Sequence, residues 1–247
     1  MASLVEGTIK RLYILDYGLF RVQSQGQERV IGIPGYLIQT QDGQNILVDT
    51  GFPAWYADDY VQASLADGLE SFGQVLHLDH ENLPAGQLDK IGLTPADIDR
   101  LVMTHTDIDH VGGIADFPQA PIIISQADRA LDYPRYFADR HPISWPEDRT
   151  YQTINTDQAL CPGVFLLSTP GHAPGHLSLL VRLPESGTIL LTGDAISRAS
   201  EPEEGFAGSW DAVIAQANAE RLLKIAAQEN AMIVYGHDPE QWKTLRK

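Results

Sequence analysis

Four short apolar segments of this chain are each followed within a few residues by histidine or aspartate. This repeated arrangement is the feature that most constrains the fold. The segments are residues 101–103, 164–168, 189–191 and 232–235, and they are followed by THTDIDH, TPGHAPGH, TGDA and GHD. Short apolar runs bounded by turn residues are typical of buried strands. Glycine lets the backbone turn sharply where a strand ends. We therefore predict that four strand ends bring their polar side chains to one rim of a β-structure.

The first fifth of the chain is also rich in strands. Residues 8–18, 29–40 and 44–51 are apolar runs, and Asp42-Gly43 is a turn signal between the last two. Two strand-rich halves are each followed by a helical segment, which predicts a layered α/β (or α+β) fold of packed sheets with helices outside. A length of 247 residues fits one domain, and we expect it to cover residues 1–247.

Helical segments are predicted at four places, the first of them a short helical pattern at residues 53–68. Thr94 and Pro95 have the residue types of an N-cap and a first helical position. Residues 125–138 are predicted to form a helix that Pro134 breaks or kinks. Residues 211–229 are predicted to form an amphipathic helix with Ser209 as its N-cap. Its apolar residues at helical spacing are Val213, Ile214, Ala217, Leu222, Ile225 and Ala226.

Seven residues at the strand ends carry side chains that bind metal ions. Four imidazoles and three carboxylates are more than one tetrahedral zinc requires, and they match two ions that share a carboxylate. Imidazole suits zinc, iron, copper and nickel, whereas carboxylate suits harder ions such as manganese and magnesium. The candidate ligands are His105, Asp107, Asp109, His110, His172, Asp194 and His237.

Other residues of these types have a structural interpretation. A lone histidine is more often hydrogen bonded in the core or exposed than bound to a metal, and we favour this for His77, His80 and His141. His176 follows His172 by four residues, and we expect it to support the site rather than bind a metal. The single cysteine, Cys161, excludes an intramolecular disulfide and is expected to be a small buried residue.

Charge and hydropathy exclude several classes of partner. A formal net charge of −16 argues against nucleic acid, which proteins bind with lysine and arginine, and against an anionic membrane surface. No run approaches the roughly 18 apolar residues needed to span a bilayer. The first residues lack the apolar segment of a signal peptide. We expect a cytoplasmic monomer or homodimer that acts on a small molecule.

These motifs, in this order, resemble the metallo-β-lactamase superfamily. The usual pattern there is a strand followed by H-x-H-x-D-H, a downstream histidine after glycine, a bridging aspartate in a GD turn, and a final histidine. VDTG at residues 48–51 also matches, and the resemblance implies that Asp49 supports a ligand without binding metal itself. It further implies a four-layered αββα sandwich with the metals at one edge, between the two sheets.

Within the superfamily the chain is most similar to the N-acyl-homoserine lactonases and related small lactonases. The shared features are chain length, GYLIQTQDGQNILVDTG, TPGHAPGHLSLLV and the ending GHD. There are two departures: the second histidine of the motif is Asp107, and the tyrosine three residues after the bridging aspartate is Ser197. Tyr36, Tyr56 and Tyr133 are candidates to replace that tyrosine, and the substrate-binding residues stay open.

The resemblance implies hydrolysis of a lactone or ester bond by a metal-bound hydroxide at a dinuclear site. His105, Asp107 and His172 are predicted to bind one metal ion, Asp109, His110 and His237 the other, and Asp194 both. Asp109 is predicted to orient or deprotonate the water and to protonate the leaving oxygen. Asp109 and Asp194 are therefore the predicted catalytic residues. Zinc is the expected metal, and the added carboxylate of Asp107 also allows manganese or iron.

Three alternatives share the same metal motif. One is a thioester hydrolase of the glyoxalase II type. Another is a di-iron redox protein, because the flavo-diiron branch of the superfamily carries glutamate where this chain has Asp107. The third is a protein of the same fold that has lost catalysis. Metal content separates the last alternative from the others.

Overall fold

Two β-sheets packed face to face, with helices on both outer sides, form the computed structural model, which describes residues 4–5, 7–24 and 27–245. A few residues of the expected domain 1–247 therefore lie outside the described ranges. The predicted αββα sandwich is confirmed. The strands are β1 (Ile9–Ser24), β2 (Gln27–Thr40), β3 (Asn45–Val48), β4 (Gly73–His77), β5 (Arg100–Val102), β6 (Ile122–Ser125), β7 (Tyr151–Ile154), β8 (Gln158–Cys161), β9 (Val164–Ser168), β10 (Leu177–Leu183), β11 (Gly187–Leu191) and β12 (Met232–Val234).

In the described part of the chain, seven α-helices connect or cover these strands. The segment after Thr94 is a short 3-10 helix, Pro95–Asp97, in which Thr94 and Asp97 form the predicted cap. The α-helices are α1 (Trp55–Asp67), α2 (Pro84–Asp89), α3 (Ile108–Val111), α4 (Gln126–Arg129), α5 (Glu201–Glu204), α6 (Ala212–Glu229) and α7 (Pro239–Leu245).

The first sheet has the order β4-β1-β2-β3-β5-β6-β7, and the second has the order β12-β11-β10-β9-β8. Strands β3, β5, β6 and β7 are parallel, as are β11 and β12, whereas the other neighbours are antiparallel. Because parallel strands end at the same edge of a sheet, the residues after β3 and β5 lie side by side. The residues after β11 and β12 do so in the second sheet.

Alternating side chains of the strands divide the apolar core into three layers. Val48, Val102 and Leu191 belong to the cluster between the sheets, whereas Leu47 and Leu101 face the helices outside the first sheet. A third cluster joins the second sheet to α6. The period of two residues along each strand places successive side chains on opposite faces. Consecutive apolar residues of a strand are therefore buried on both faces, as Ile46, Leu47 and Val48 of β3 are.

The predicted helix at residues 125–138 is wrong in part, because α4 forms at its start but ends at Arg129, before Pro134. Pro134 lacks the backbone N–H that a helix interior requires. Tyr136 and Ala138 have φ angles of 59° and 49°, in the left-handed region that a right-handed helix excludes. The segment instead runs beside the metal-ligand motif, where Tyr136 forms an isolated parallel β-bridge with Asp107.

The long helix near the carboxyl end is confirmed as α6, but its predicted cap is wrong. The side chain of Asp211, not Ser209, accepts hydrogen bonds from the backbone N–H groups of Val213 and Ile214, both at 3.0 Å. Val213 is 80% exposed, so the predicted apolar face is wrong in part. The residues of α6 that are buried are Ala215, Ala219, Leu222 and Ala226.

Replacing the true cap should destabilise the protein, and replacing the predicted cap should not. Asp211→Ala leaves two N–H groups of α6 without their acceptor, and we expect the free energy of unfolding to fall by about 0.5–2 kcal/mol. Ser209→Ala is the matched control and should change it by less than about 0.5 kcal/mol. Urea unfolding at neutral pH measures both. Equal destabilisation by the two changes would contradict the assignment of Asp211 as the cap.

Candidate metal centre

Asp194 lies at the centre of a cluster of histidines, with each of its carboxylate oxygens facing a different pair. Its Oδ1 is 3.1 Å from Nε2 of His237 and 3.6 Å from Nε2 of His110. Its Oδ2 is 3.5 Å from Nε2 of His172 and 3.9 Å from Nε2 of His105. Both sheets contribute, because His105 and His110 follow β5, whereas Asp194 and His237 follow β11 and β12. One carboxylate thus lies between two pairs of imidazoles.

A second carboxylate accompanies the pair His110 and His237. Oδ2 of Asp109 is 3.7 Å from Nε2 of His110 and 3.6 Å from Nε2 of His237. Ligand atoms around a tetrahedral zinc with bonds of roughly 2.0–2.1 Å are roughly 3.3 Å apart. Asp109, His110 and His237 therefore have the spacing of a metal-binding group, and their ligand atoms lie within 4.8 Å of one another.

Asp107 accompanies the other pair. Its Oδ2 is 3.1 Å from Nε2 of His172 and 3.7 Å from Nε2 of His105. His105, His172 and Asp194 form the second group with ligand atoms within 4.8 Å. Asp107 does not belong to this group, but its carboxylate lies beside both imidazoles of the pair.

Asp49 fixes the orientation of two of these histidines. The Nδ1–H of His110 donates to Asp49 Oδ2 at 2.9 Å. The hydroxyl of Thr104 also donates to this oxygen, at 2.7 Å, so the hydroxyl accepts the Nδ1–H of His105 at 3.1 Å. Asp49 Oδ1 accepts the backbone N–H of Thr104 at 2.8 Å. With Nδ1 carrying the proton, each imidazole presents the lone pair of Nε2 to the centre.

A hydrogen bond from Nδ1 also orients His237, but here the acceptor is a backbone carbonyl. The Nδ1–H of His237 donates to the carbonyl oxygen of Gly32 at 2.9 Å, so its Nε2 faces Asp194. Gly32 lies in β2, in the middle of the first sheet. A residue that follows the second sheet is therefore positioned by a strand of the first.

His176 contacts the turn that carries Asp194 rather than the centre. Its Nε2 accepts the backbone N–H of Asp194 at 3.0 Å, and its Nδ1–H donates to the hydroxyl of Thr169 at 2.8 Å. Burial lowers the pKa of His176 to about 3, so the ring is neutral at pH 7. Gly193 has a φ of 53°, and a Cβ there would lie 2.9 Å from His176 Nε2. Glycine thus allows the close contact that places Asp194.

The side chains at the centre fit divalent metal ions. Within the described residues, Nε2 of His105, Nε2 of His110 and Oδ1 of Asp194 are buried and form no hydrogen bond. Buried polar atoms without a partner cost free energy, and a cation at the centre would satisfy all three. Imidazole nitrogens and carboxylate oxygens in this ratio are ligands for zinc, iron or manganese.

Without a metal, the carboxylates hold protons on the nearby imidazoles. Burial lowers the pKa of His237, but the charge of Asp194 outweighs it and the pKa rises to about 9. The pKa of His110 is raised well above its ordinary value, because Asp109, Asp49 and Asp194 outweigh its burial. The pKa of Asp194 is held well below its ordinary value by His237, His110 and His172, against the effect of burial. A metal ion must therefore displace protons when it binds.

The centre lies at the floor of a cleft of about 720 Å³. Asp109 and Asp107 have side chains 19% and 22% exposed, so both reach the cleft. Ser197 lines it, and so does much of the segment 197–209 that follows the turn of Asp194. Apolar side chains that line the cleft are Phe20, Ile31, Phe52, Leu69, Phe72, Ile108 and Phe137.

Three tyrosines were considered as substitutes for the tyrosine that related lactonases have at the position of Ser197. Of these, Tyr133 lines the cleft. The hydroxyl of Tyr56 donates to Asp67 at 2.9 Å, and Tyr36 is 3% exposed. Neither Tyr36 nor Tyr56 is among the residues that line the cleft.

The remaining candidates of the sequence lie elsewhere. His77 and His80 are exposed and approach Asp79 and Asp58 respectively. His141 lines the outer part of the cleft and does not belong to either metal-binding group. Cys161 is buried.

Sequence analysis missed two side chains that contact candidate metal ligands, Thr104 and Arg135. Thr104 directly precedes His105 in the motif, but nothing in its residue type indicates a bond to Asp49. Arg135 lies within the segment that was predicted to be helical, and its Nε is 3.5 Å from Oδ1 of Asp107.

An αββα sandwich with clustered histidines and aspartates at the edge between its sheets defines a class of metal-binding enzymes, and comparison with known proteins identifies the family. A sequence model of the metallo-beta-lactamase superfamily matches residues 31–237. The chain belongs to this superfamily.

Several proteins that this chain resembles over nearly their full length are N-acyl homoserine lactonases. An N-acyl homoserine lactonase of Bacillus cereus is 33% identical, with 96% of each chain covered. The N-acyl homoserine lactonase AttM of Rhizobium radiobacter is 31% identical, also with 96% of each covered. A solved N-acyl homoserine lactone hydrolase, with the product N-hexanoyl-L-homoserine at its catalytic metal center, has a TM-score of 0.83 and 30% identity over 96% of each chain.

No helix in the part of the chain that the structure describes is long and apolar enough to cross a membrane.

Metal binding to the chelator-treated protein should release protons at pH 7. His237 has a pKa of about 9 without metal and must lose the proton on Nε2 to become a ligand. The affinity for Zn²⁺ should therefore rise with pH up to about pH 9. Calorimetric titration in two buffers of different ionisation enthalpy measures the number of protons released. No proton release at pH 7 would contradict this account.

Proposed function

We propose that this protein hydrolyses lactones, with N-acyl homoserine lactones as the substrate class to test first. The observation that carries the proposal is the Asp194 carboxylate between two pairs of histidines at the floor of a partly apolar cleft. A ring ester with an acyl tail has a polar group for the centre and an apolar group for the wall of the cleft. The full-length similarity to lactonases supports the same assignment.

The proposed site binds two divalent metal ions, most readily zinc. His105, Asp107 and His172 are the proposed ligands of one ion, and Asp109, His110 and His237 are those of the other. Asp194 is the proposed shared ligand, because its two oxygens face the two pairs separately. Asp107 adds an oxygen ligand, so manganese or iron should also bind.

When bound, the ions supply the Lewis acidity that polarises an ester carbonyl and lowers the pKa of a water molecule. Asp109 is the proposed proton acceptor for the attacking water, because it lies between the centre and the cleft. Burial raises the pKa of Asp109, and nearby Asp194 and Asp107 add to this effect, against His110 and His237. A carboxylate with a raised pKa can take the proton and return it to the leaving oxygen.

The apolar wall of the cleft is the proposed site of the acyl chain. Phe20 and Phe52 stack with ring centroids 6.2 Å apart, and Phe20 and Phe72 with centroids 6.0 Å apart. A flexible alkyl chain that packs against these rings loses contact with water, which favours binding. Ser197 is too short to fill the place of the tyrosine of related lactonases, so this chain should leave more room beside the bridging aspartate.

The similarity to lactonases does not favour the three alternatives considered from the sequence, namely a thioester hydrolase, a di-iron redox protein and a catalytically inactive protein. The expected cytoplasmic location and the choice between monomer and homodimer stay predictions.

A direct test combines metal analysis with a substrate panel. The protein is purified without added metal, its metal content is measured, and hydrolysis is followed for acyl homoserine lactones, simple lactones, open-chain esters and a thioester. We expect lactone hydrolysis that a chelator abolishes and Zn²⁺ restores. Metal binding with thioester but not lactone hydrolysis would replace the proposal by the glyoxalase II type. Protein without metal or hydrolysis would overturn it.

Asp109→Asn should lower kcat for a lactone by about 10²- to 10⁴-fold, because the amide cannot accept the proton. Asp132→Asn is the matched control, because Asp132 lines the same cleft and is exposed. Steady-state kinetics with metal content measured in parallel separates lost chemistry from lost metal. Unchanged kcat in Asp109→Asn with metal still bound would contradict the role of Asp109.

A further inference from the structure

The two oxygens of the Asp107 carboxylate face different partners. Oδ2 approaches the imidazoles of His172 and His105 at 3.1 and 3.7 Å. Oδ1 points the other way, 3.5 Å from Nε of Arg135. Burial raises the pKa of Asp107, but His172 and Arg135 outweigh it and hold the pKa below its ordinary value. One oxygen thus faces the histidines of the candidate centre, while the other faces the guanidinium of Arg135.

Arg135 is held in place by contacts with the loop and the residue that carry ligands. Its backbone N–H donates to the hydroxyl of Thr106 at 3.0 Å, and its Nη1 donates to the carbonyl oxygen of His172 at 3.3 Å. The side chain is 29% exposed, so the guanidinium is partly shielded from water and from salt. Arg135 therefore connects the segment of Asp107 with the segment of His172.

A strained backbone anchors the residue that follows. Tyr136 has a φ of 59°, which is costly for a residue with a side chain. Its backbone pairs with the motif, because its N–H donates to the carbonyl of Thr106 at 2.8 Å and its carbonyl accepts the N–H of Ile108 at 2.9 Å. Its buried hydroxyl donates to Asp67 at 2.5 Å, and Tyr56 donates to the same carboxylate at 2.9 Å. These contacts stabilise the strained backbone of Tyr136 and fix Arg135 beside Asp107.

Electrostatics explain why an aspartate ligand needs such a partner. A centre with Asp107, Asp109 and Asp194 has three carboxylates, whereas the family pattern with histidine at position 107 has two. Each added negative charge weakens the attraction of the metal ions for a carbonyl oxygen. The carboxylate of Asp107 would also repel Asp194 and Asp109 if nothing countered its charge. The positive charge of the Arg135 guanidinium beside Oδ1 offsets the added negative charge of Asp107. The net charge around the metals then equals that of the family pattern with histidine.

We propose that Arg135 is the positioning residue that makes Asp107 a working metal ligand, by neutralising Oδ1 and directing Oδ2 at the ion bound by His105 and His172. The inference rests on the proposed metal site. It assigns a function to the replacement of histidine by aspartate at position 107, since aspartate and arginine together provide what histidine provides alone. Arg135 acts through Asp107 and need not contact the substrate.

The test is metal affinity, measured without substrate. Chelator-dialysed protein is titrated with Zn²⁺ in competition with a chromophoric chelator, which gives two dissociation constants. Arg135→Gln should raise one of them by about 10- to 100-fold and leave the other unchanged. Arg135→Lys keeps the charge without the planar fork, so its constant should lie between those of Arg135→Gln and the wild type. Arg100→Gln, at the start of β5, removes the same charge far from the centre and should change neither constant.

A double-mutant cycle separates this role from simple structural support. Asp107→His removes the carboxylate that Arg135 neutralises, so Arg135→Gln should change neither dissociation constant in that background. Burial raises the pKa of Asp128 to about 6, and Arg135 opposes this shift, so the arginine also acts on a second carboxylate. If the arginine served Asp128 or the fold alone, its removal would weaken binding equally in both backgrounds.

The outcomes are distinct. Two Zn²⁺ ions bound by the wild type, with equal constants in Arg135→Gln, would overturn the inference and leave the proposed function intact. An equal loss in the Asp107→His background would also overturn it. Wild-type protein without affinity for Zn²⁺ would overturn both the inference and the proposed function. Thermal unfolding of the metal-free variants confirms that each one folds.

Discussion

The buried carboxylate of Asp49 is the contact on which the centre depends. It accepts the backbone N–H and the hydroxyl of Thr104 and the Nδ1–H of His110, so its two oxygens satisfy three donors. Asp49 adopts a φ of 61° directly after β3, which turns its side chain toward the end of the neighbouring strand β5. It sets the tautomer of His110 directly and that of His105 through the hydroxyl of Thr104. A buried aspartate that never faces the cleft thereby determines where metal-binding lone pairs point.

The rest of the site is shared between the two sheets. Gly32 in the first sheet orients His237 from the second, and His176 holds the turn of Asp194. The sandwich thus brings residues distant in sequence to one edge, where they stay largely buried below an open cleft. Arg135, which is partly exposed, faces the oxygen of Asp107 that points away from the histidines.

The clustering of the candidate ligands was predictable from the sequence because its signal is local. His105, His110, His172, Asp194 and His237 each follow a short apolar strand, and parallel strands end at the same edge. The reach of Asp107 and the contact with Arg135 were not predictable. Both depend on residues 130–140, whose helical composition is overridden by Pro134 and by a left-handed residue that only tertiary contacts hold. The buried face of α6 was predicted only in part, because three of its four buried residues are small alanines and the larger Val213 is exposed.

Anomalous X-ray diffraction from crystals of the zinc-loaded protein tests the central claim most directly. The account predicts two anomalous peaks, roughly 3.5–4 Å apart, on either side of the Asp194 carboxylate. It also predicts Oδ2 of Asp107 within bonding distance of the ion held by His105 and His172, with Oδ1 still paired to Arg135. A single peak, or Asp107 turned away from the ion, would contradict it.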